Sequence, residues 1–200
     1  MPANPTQFRS EHPRRQPSFR MSTPQLGMLL FLASLAVLFV ATVAAYWITR
    51  LNHVHWHRVE VGLPWGLPLS TACIALVSLS FEWALRSVAH NRQVELQRGL
   101  LLAFAGAAAF LLVQVFNWRD VFQLNIEARS RALSMFTFYV LTGLHALHVL
   151  GGFVPLGLVL YRAKQREYSS SRYEGIKLCA QYWHFLGAVW LVLLVTLLVA

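Results

Sequence analysis

Three histidines lie where this chain carries almost no charge. Imidazole can ligate a metal, relay a proton or donate a hydrogen bond. His145 and His148 sit inside Ala132 to Tyr161, 30 residues without Asp, Glu, Lys or Arg. Three residues apart, they share a face if the stretch is helical. Thr142, His145, Val149 and Gly152 then fall on one stripe at 3.6-residue spacing. His184 lies in a second uncharged run of 23 residues, from Leu178 to Ala200. Tyr182 and Trp183 precede it directly, and Trp190 follows Trp183 by two helical turns, on the same face. Imidazole in an apolar setting is costly unless it meets another helix, a lipid headgroup or a cavity. His145, His148, Tyr182, Trp183, His184, Trp190 and Thr142 are therefore the candidates for polar helix contacts or headgroup binding. Haem ligation by His145 or His148 against His184 is the competing chemistry.

Other combinations carry less. Glu82 and Arg86 are four residues apart and predict an ion pair along one helix, near its end. His53, His55 and His57 alternate, so in an extended segment their rings would point one way and suit a metal. Glu60 is the nearby carboxylate, and solvated loop histidines are the plainer reading. Cys73 and Cys179 are too few and too scattered for a cluster or a disulfide framework. No nucleophile stands beside a base, and no phosphate-binding glycine loop or haem-attachment motif is present. No catalytic residue and no metal site are expected in this chain.

The elements that must position these side chains are membrane helices. In a chain of 200 residues, 56% are hydrophobic and 12% charged, outside the range of soluble domains. The charges leave uncharged windows of 29 residues between Arg20 and Arg50 and 20 between Arg98 and Arg119. A shorter apolar run opens near Pro68. A helix rising 1.5 Å per residue crosses a bilayer in about 20 residues. The sequence thus predicts an all-α, polytopic bundle of five transmembrane helices, at about 24–49, 68–88, 99–118, 134–161 and 178–199. Residues 1–22, polar and arginine-bearing, read as a disordered cytoplasmic tail before a membrane domain of 23–200.

The net charge of +9 is a topology signal rather than a nucleic-acid footprint. Assigned to alternate sides, twelve Lys and Arg residues fall with the N-terminus and five on the other side. Basic loops stay cytoplasmic, which puts the N-terminus inside and the C-terminus outside. Basic loops at the inner face also suit anionic lipid headgroups. In helix 3, Ala105 and Ala109 predict a close helix contact, and Gln114 is the polar interior side chain. In helix 4, Gly143, Gly151 and Gly152 thin the helix and Pro155 should bend it.

Two phrases carry a resemblance. FYVLTGLHALHVLGG (Phe138 to Gly152) resembles the helix that marks subunit III of the haem–copper oxidases. YWHFLGAVWLVLL (Tyr182 to Leu194) resembles that family's last helix. LGMLLFLAS (Leu26 to Ser34) is similar to its first conserved helix, and Ala89 to Arg92 with Phe110 and Gln114 follow its middle more loosely. The match runs in order from about Gln25 to the C-terminus. Five helices fit the short form, without the two additional N-terminal helices of longer members. The resemblance implies a catalytically silent subunit of a respiratory terminal oxidase in the cell inner membrane. Such a subunit packs on subunit I beside subunit II, binds phospholipids, and supports proton uptake and durable turnover. Haem and copper would belong to the partner subunits, with none bound here. Two positions depart from the family pattern: Leu35 stands where a Glu usually follows Ser34, and Gly187 where an Asp usually follows the last-helix histidine. A scaffolding and lipid role survives those losses. Two other readings remain at this stage, an accessory subunit of nitric oxide reductase, which shares the fold, and a small membrane b-type cytochrome.

Overall fold

A computed structural model describes residues 22–52, 66–125 and 132–199. Five helices follow in chain order: α1 (Thr23–Asn52), α2 (Gly66–Ala89), α3 (Gln93–Asn125), α4 (Ala132–Lys164) and α5 (Glu174–Val199). Each is long and apolar enough to cross a membrane. The chain is an all-α multi-pass membrane protein. His53, His55 and His57 lie outside the described residues.

Local chemistry sets the helix ends. At the start of α1, the Gln25 amide oxygen accepts from the Ser22 backbone N–H at 3.3 Å, one half of a capping box. Pro24 sits in the first turn, where its missing N–H costs nothing. Two helices, α2 and α4, end in the same device. Arg92 N–H donates to Ser87 and Asn91 N–H to Val88, while Glu167 N–H donates to Arg162 and Arg166 N–H to Ala163. These are Schellman caps, and their left-handed residues are Asn91 (φ 56°) and Arg166 (φ 57°) rather than glycine.

The helices overrun the sequence windows because polar turns at their ends are still hydrogen-bonded as helix. The clearest case is α3, which begins at Gln93 instead of 99 and continues through Arg119 and Asp120 to Asn125. The Ala105–Ala109 contact does not form: Ala105 is exposed and Ala109 half-buried. The close approach uses the neighbouring stripe of Gly99, Ala103 and Ala107. A Cβ on Gly99 would meet Ala84 Cβ and Ser80 O at 3.1 Å, and one on Gly106 would meet Val77 at 3.1 Å. Small residues at 103 and 105–109 fall on several faces of this helix, so composition could not choose among them. Helix α4 is continuous through Pro155. The proline leaves the Gly151 carbonyl without its usual donor.

The main core is built on Phe81, Phe110, Val149, Leu156, Trp183 and Trp190 of α2, α3, α4 and α5, and α1 reaches it through Leu35. A smaller one, Phe39 with Leu141, Val189 and Leu193, holds α1 against α4 and α5. At the end bearing the α2–α3 turn, side chains strap the α4–α5 connection down. Asn91 exchanges hydrogen bonds with Ser170 at 2.8 and 3.1 Å. Gln93 donates to Tyr168 O at 2.7 Å and Gln97 to Ala163 O at 3.0 Å.

Candidate functional site

His145 is fully buried at the centre of the bundle. Three rings enclose it: Trp190 of α5 at 5.5 Å, Phe110 of α3 at 5.7 Å and Phe39 of α1 at 6.1 Å between centroids. Thus one imidazole touches every neighbouring helix except α2, and α2 is reached through Trp190, whose Nε1–H donates to Thr71 Oγ1 at 3.2 Å. Thr142, one turn away on α4, accepts from Trp118 Nε1–H of α3 at 3.0 Å. Tyr139 completes that tie by donating to the Trp118 carbonyl at 2.9 Å. Among the described residues neither His145 nitrogen has a hydrogen-bond partner, and neither end of the buried Gln114 amide has one.

His148, one turn along α4, is only half-buried and lies on the same Phe39 ring. Its Nδ1 lies 2.8 Å from the Leu144 carbonyl, so Nδ1 carries the proton and donates. The ring lies 5.2 Å from Phe39. The Tyr182 hydroxyl donates to the His148 carbonyl at 2.7 Å, tying α5 to α4. Gly152 makes this seam possible. A Cβ there would stand 2.8 Å from Tyr182 Cε1 and 3.0 Å from Trp183 Cζ2, closer than atoms tolerate. Gly143 and Gly151, by contrast, face open space. Trp183 is walled by Phe81 and Phe153, at 6.3 and 6.0 Å.

The predicted Glu82–Arg86 pair is replaced by another. Glu82 Oε1 lies 3.4 Å from His184 Nε2, on α5. Among the described residues no carboxylate reaches Arg86 within ion-pair distance. The spacing along α2 identified the nearest partner on the same helix, but the seam between α2 and α5 offered a nearer one. The contact has ion-pair distance without hydrogen-bond alignment, since Nε2 is otherwise unpartnered. Both side chains remain partly exposed, at 51% for Glu82 and 36% for His184, so the pair contributes little to stability.

The three histidines therefore divide between two places: His145 and His148 flank Phe39 of α1, the first inside the aromatic cage and the second half-buried at its side, while His184 lies on the α2–α5 seam. A porphyrin on His145 would need space that Phe39, Phe110 and Trp190 fill. Among the described residues no three His, Cys, Asp or Glu side chains come together as a metal ion would require. Sequence reasoning missed the polar staples between helices. Asn117 Nδ2 donates to Ser70 Oγ at 3.3 Å, joining α3 to α2, and the Asn117 amide abuts Gly66, which has no space for a side chain. An amide and a small residue in separate helices give no pattern within one segment.

The arrangement is that of a polytopic membrane subunit whose polar side chains join helix to helix. The family model for cytochrome c oxidase subunit III matches residues 15–199. The chain belongs to that family. Among curated relatives, cytochrome c oxidase subunit 3 of Pylaiella littoralis is 30% identical over 181 residues, covering 86% of this chain and 65% of the relative. The subunit 3 of Drosophila melanogaster is 29% identical, over 86% of this chain and 67% of its own length. That of Thermostichus vulcanus is 28% identical, over 92% of this chain and 88% of its own. This chain thus spans about two thirds of the length of the first two and most of the third.

Proposed function

We propose that this chain is a non-catalytic subunit III of a respiratory haem–copper terminal oxidase. It packs mainly on subunit I, beside subunit II, in the cell inner membrane. Its N-terminus is cytoplasmic and its C-terminus outside, as the distribution of basic loops requires. It contributes no haem or copper; those belong to its partners. Its work is to hold phospholipid against the complex and to keep proton uptake and turnover intact over many cycles.

The observation that carries this reading is the fate of the family-motif side chains. His145, Thr142, Tyr182, Trp183 and Trp190 are spent on contacts among the five helices. A buried imidazole caged by rings on three other helices is a packing element. It lacks the open coordination position that redox or hydrolytic chemistry needs. The same geometry weighs against a b-type cytochrome, because Phe39, Phe110 and Trp190 enclose His145 while His184 lies against Glu82 on the α2–α5 seam.

An affinity tag on this chain, in its own host, tests the reading. The expected result is co-purification with a haem- and copper-bearing catalytic subunit that reduces dioxygen. Removing the chain should leave that subunit's spectrum unchanged while the enzyme loses activity after fewer turnovers. Recovery of a nitric oxide reductase catalytic subunit instead, or an oxidase equally durable without the chain, would contradict it.

A further inference from the structure

A small polar pocket of about 190 Å³ lies beside the α2–α3 turn, away from the histidine cage. It is lined by Trp83, Arg86, Ser87, His90, Arg92 and Glu95. We infer that it binds the phosphodiester headgroup of an anionic glycerophospholipid. The inference rests on the membrane-subunit reading above and adds a particular lipid site to it.

Depth is the first argument. The uncharged stretch of α3 begins at Gly99 and packs against Ser80 and Ala84 at 3.1 Å. That stretch runs to Trp118, 20 residues, and a helix of that length spans a hydrocarbon core of about 30 Å. The level of Ser80 to Ala84 is therefore the edge of the core. Trp83, 39% exposed, stands at that edge, where indoles favour the interface. Arg86, His90 and Arg92 lie beyond it, in the headgroup layer.

Charge is the second. Among the described residues Arg86 has no carboxylate within ion-pair distance. Arg92 has one, Glu95 at 3.4 Å, across an exposed contact of low worth. Two guanidinium forks around one pocket match a phosphate, which accepts bidentate hydrogen bonds. His90 donates through Nδ1 to the Arg86 carbonyl at 2.8 Å, which leaves Nε2 for a ligand. Glu95 repels the phosphate but accepts from hydroxyls, so the pair suits a polyhydroxylated headgroup such as glycerol. The Schellman cap on α2 fixes the geometry, because it sets Arg92 directly after the turn that Asn91 makes.

The test counts lipid on the intact oxidase complex by native mass spectrometry after delipidation and titration with phosphatidylglycerol or phosphatidylcholine. Wild-type complex should retain phosphatidylglycerol in preference to phosphatidylcholine. The double variant Arg86→Gln/Arg92→Gln should weaken that retention by about 30-fold, as two interfacial cations suggest. Arg172→Gln, at the same end but outside the pocket, should behave as wild type. Millimolar inorganic phosphate should not compete. Equal retention of both lipids, unchanged retention in the double variant, or displacement by inorganic phosphate would each overturn the inference, the last by making the site one for a soluble anion. Only intact complexes are counted, so a failure of the subunit reading shows separately, as loss of co-purification.

Discussion

Helix α1 and the four helices α2–α5 are joined to the molecule by different means. In α1 three residues are buried, Leu35, Phe39 and Tyr46, against eleven in α5. It is fastened along its length by few contacts: the Ser22 hydroxyl on Glu174 at one end, Phe31 stacked on Tyr182 at 6.1 Å, Leu35 in the main core, Phe39 midway, and Arg50, which donates to the Val199 carbonyl at 3.2 Å, at the other. Between Phe39 and the far end a wholly apolar cleft of about 420 Å³, lined by Val40, Val43, Phe185 and Val192, separates α1 from α5. The other four helices approach on glycine and alanine and are stapled by Asn117, Trp118, Tyr182 and Trp190. In a bilayer apolar contact alone gives little preference for a neighbouring helix over lipid, so close backbone approach and interhelical hydrogen bonds decide. By that measure α2–α5 form the structural body and α1 is an attachment.

Substitutions can break this contrast. The largest effect is expected at Gly152. Gly152→Leu drives atoms into Tyr182 and Trp183, which should cost about 3 kcal/mol or more and deplete assembled protein. Gly143→Leu, pointing into open space, should accumulate normally; equal losses in both would show that glycine matters here for something other than room. Next, Phe39→Ala should release α1 at a cost of about 2 kcal/mol, below the ~3–5 typical of aqueous cores because lipid replaces the lost contact. Hydrogen exchange should rise in 23–52 and stay unchanged in α2–α5; a uniform rise would dissolve the distinction. A smaller cost, about 1–2 kcal/mol, is expected for Asn91→Ala, which removes the two bonds to Ser170, with faster exchange in 169–172 as the readout. The smallest effect has the opposite sign. Arg166→Gly relieves a left-handed arginine and should stabilise by about 1 kcal/mol in detergent unfolding.

The sequence displays the body of this fold plainly, since charge-free windows of bilayer length leave few alternatives to five helices. Its candidate site was legible as a set of residues but not as a geometry. His145 and His148 share a helix face and both meet Phe39 of α1, yet a modest rotation buries one fully in the aromatic cage and leaves the other half-buried. Glu82 was matched to Arg86 because spacing within a helix is visible in a sequence and the seam between helices is not. The two Schellman caps gave no glycine to read. Gly152 was legible only as a thin place, and which of three nearby glycines meets a neighbour depends on how α4 is turned.

The most direct test of the central claim is an optical one: a reduced-minus-oxidised spectrum of the purified full-length chain, with its haem content measured. If the motif imidazoles serve packing, the chain is folded, helical and colourless, and its His145→Phe variant is equally so. A stoichiometric Soret band that disappears when His145 and His184 are both replaced would contradict the account, because the cage around His145 would then have to open for a cofactor.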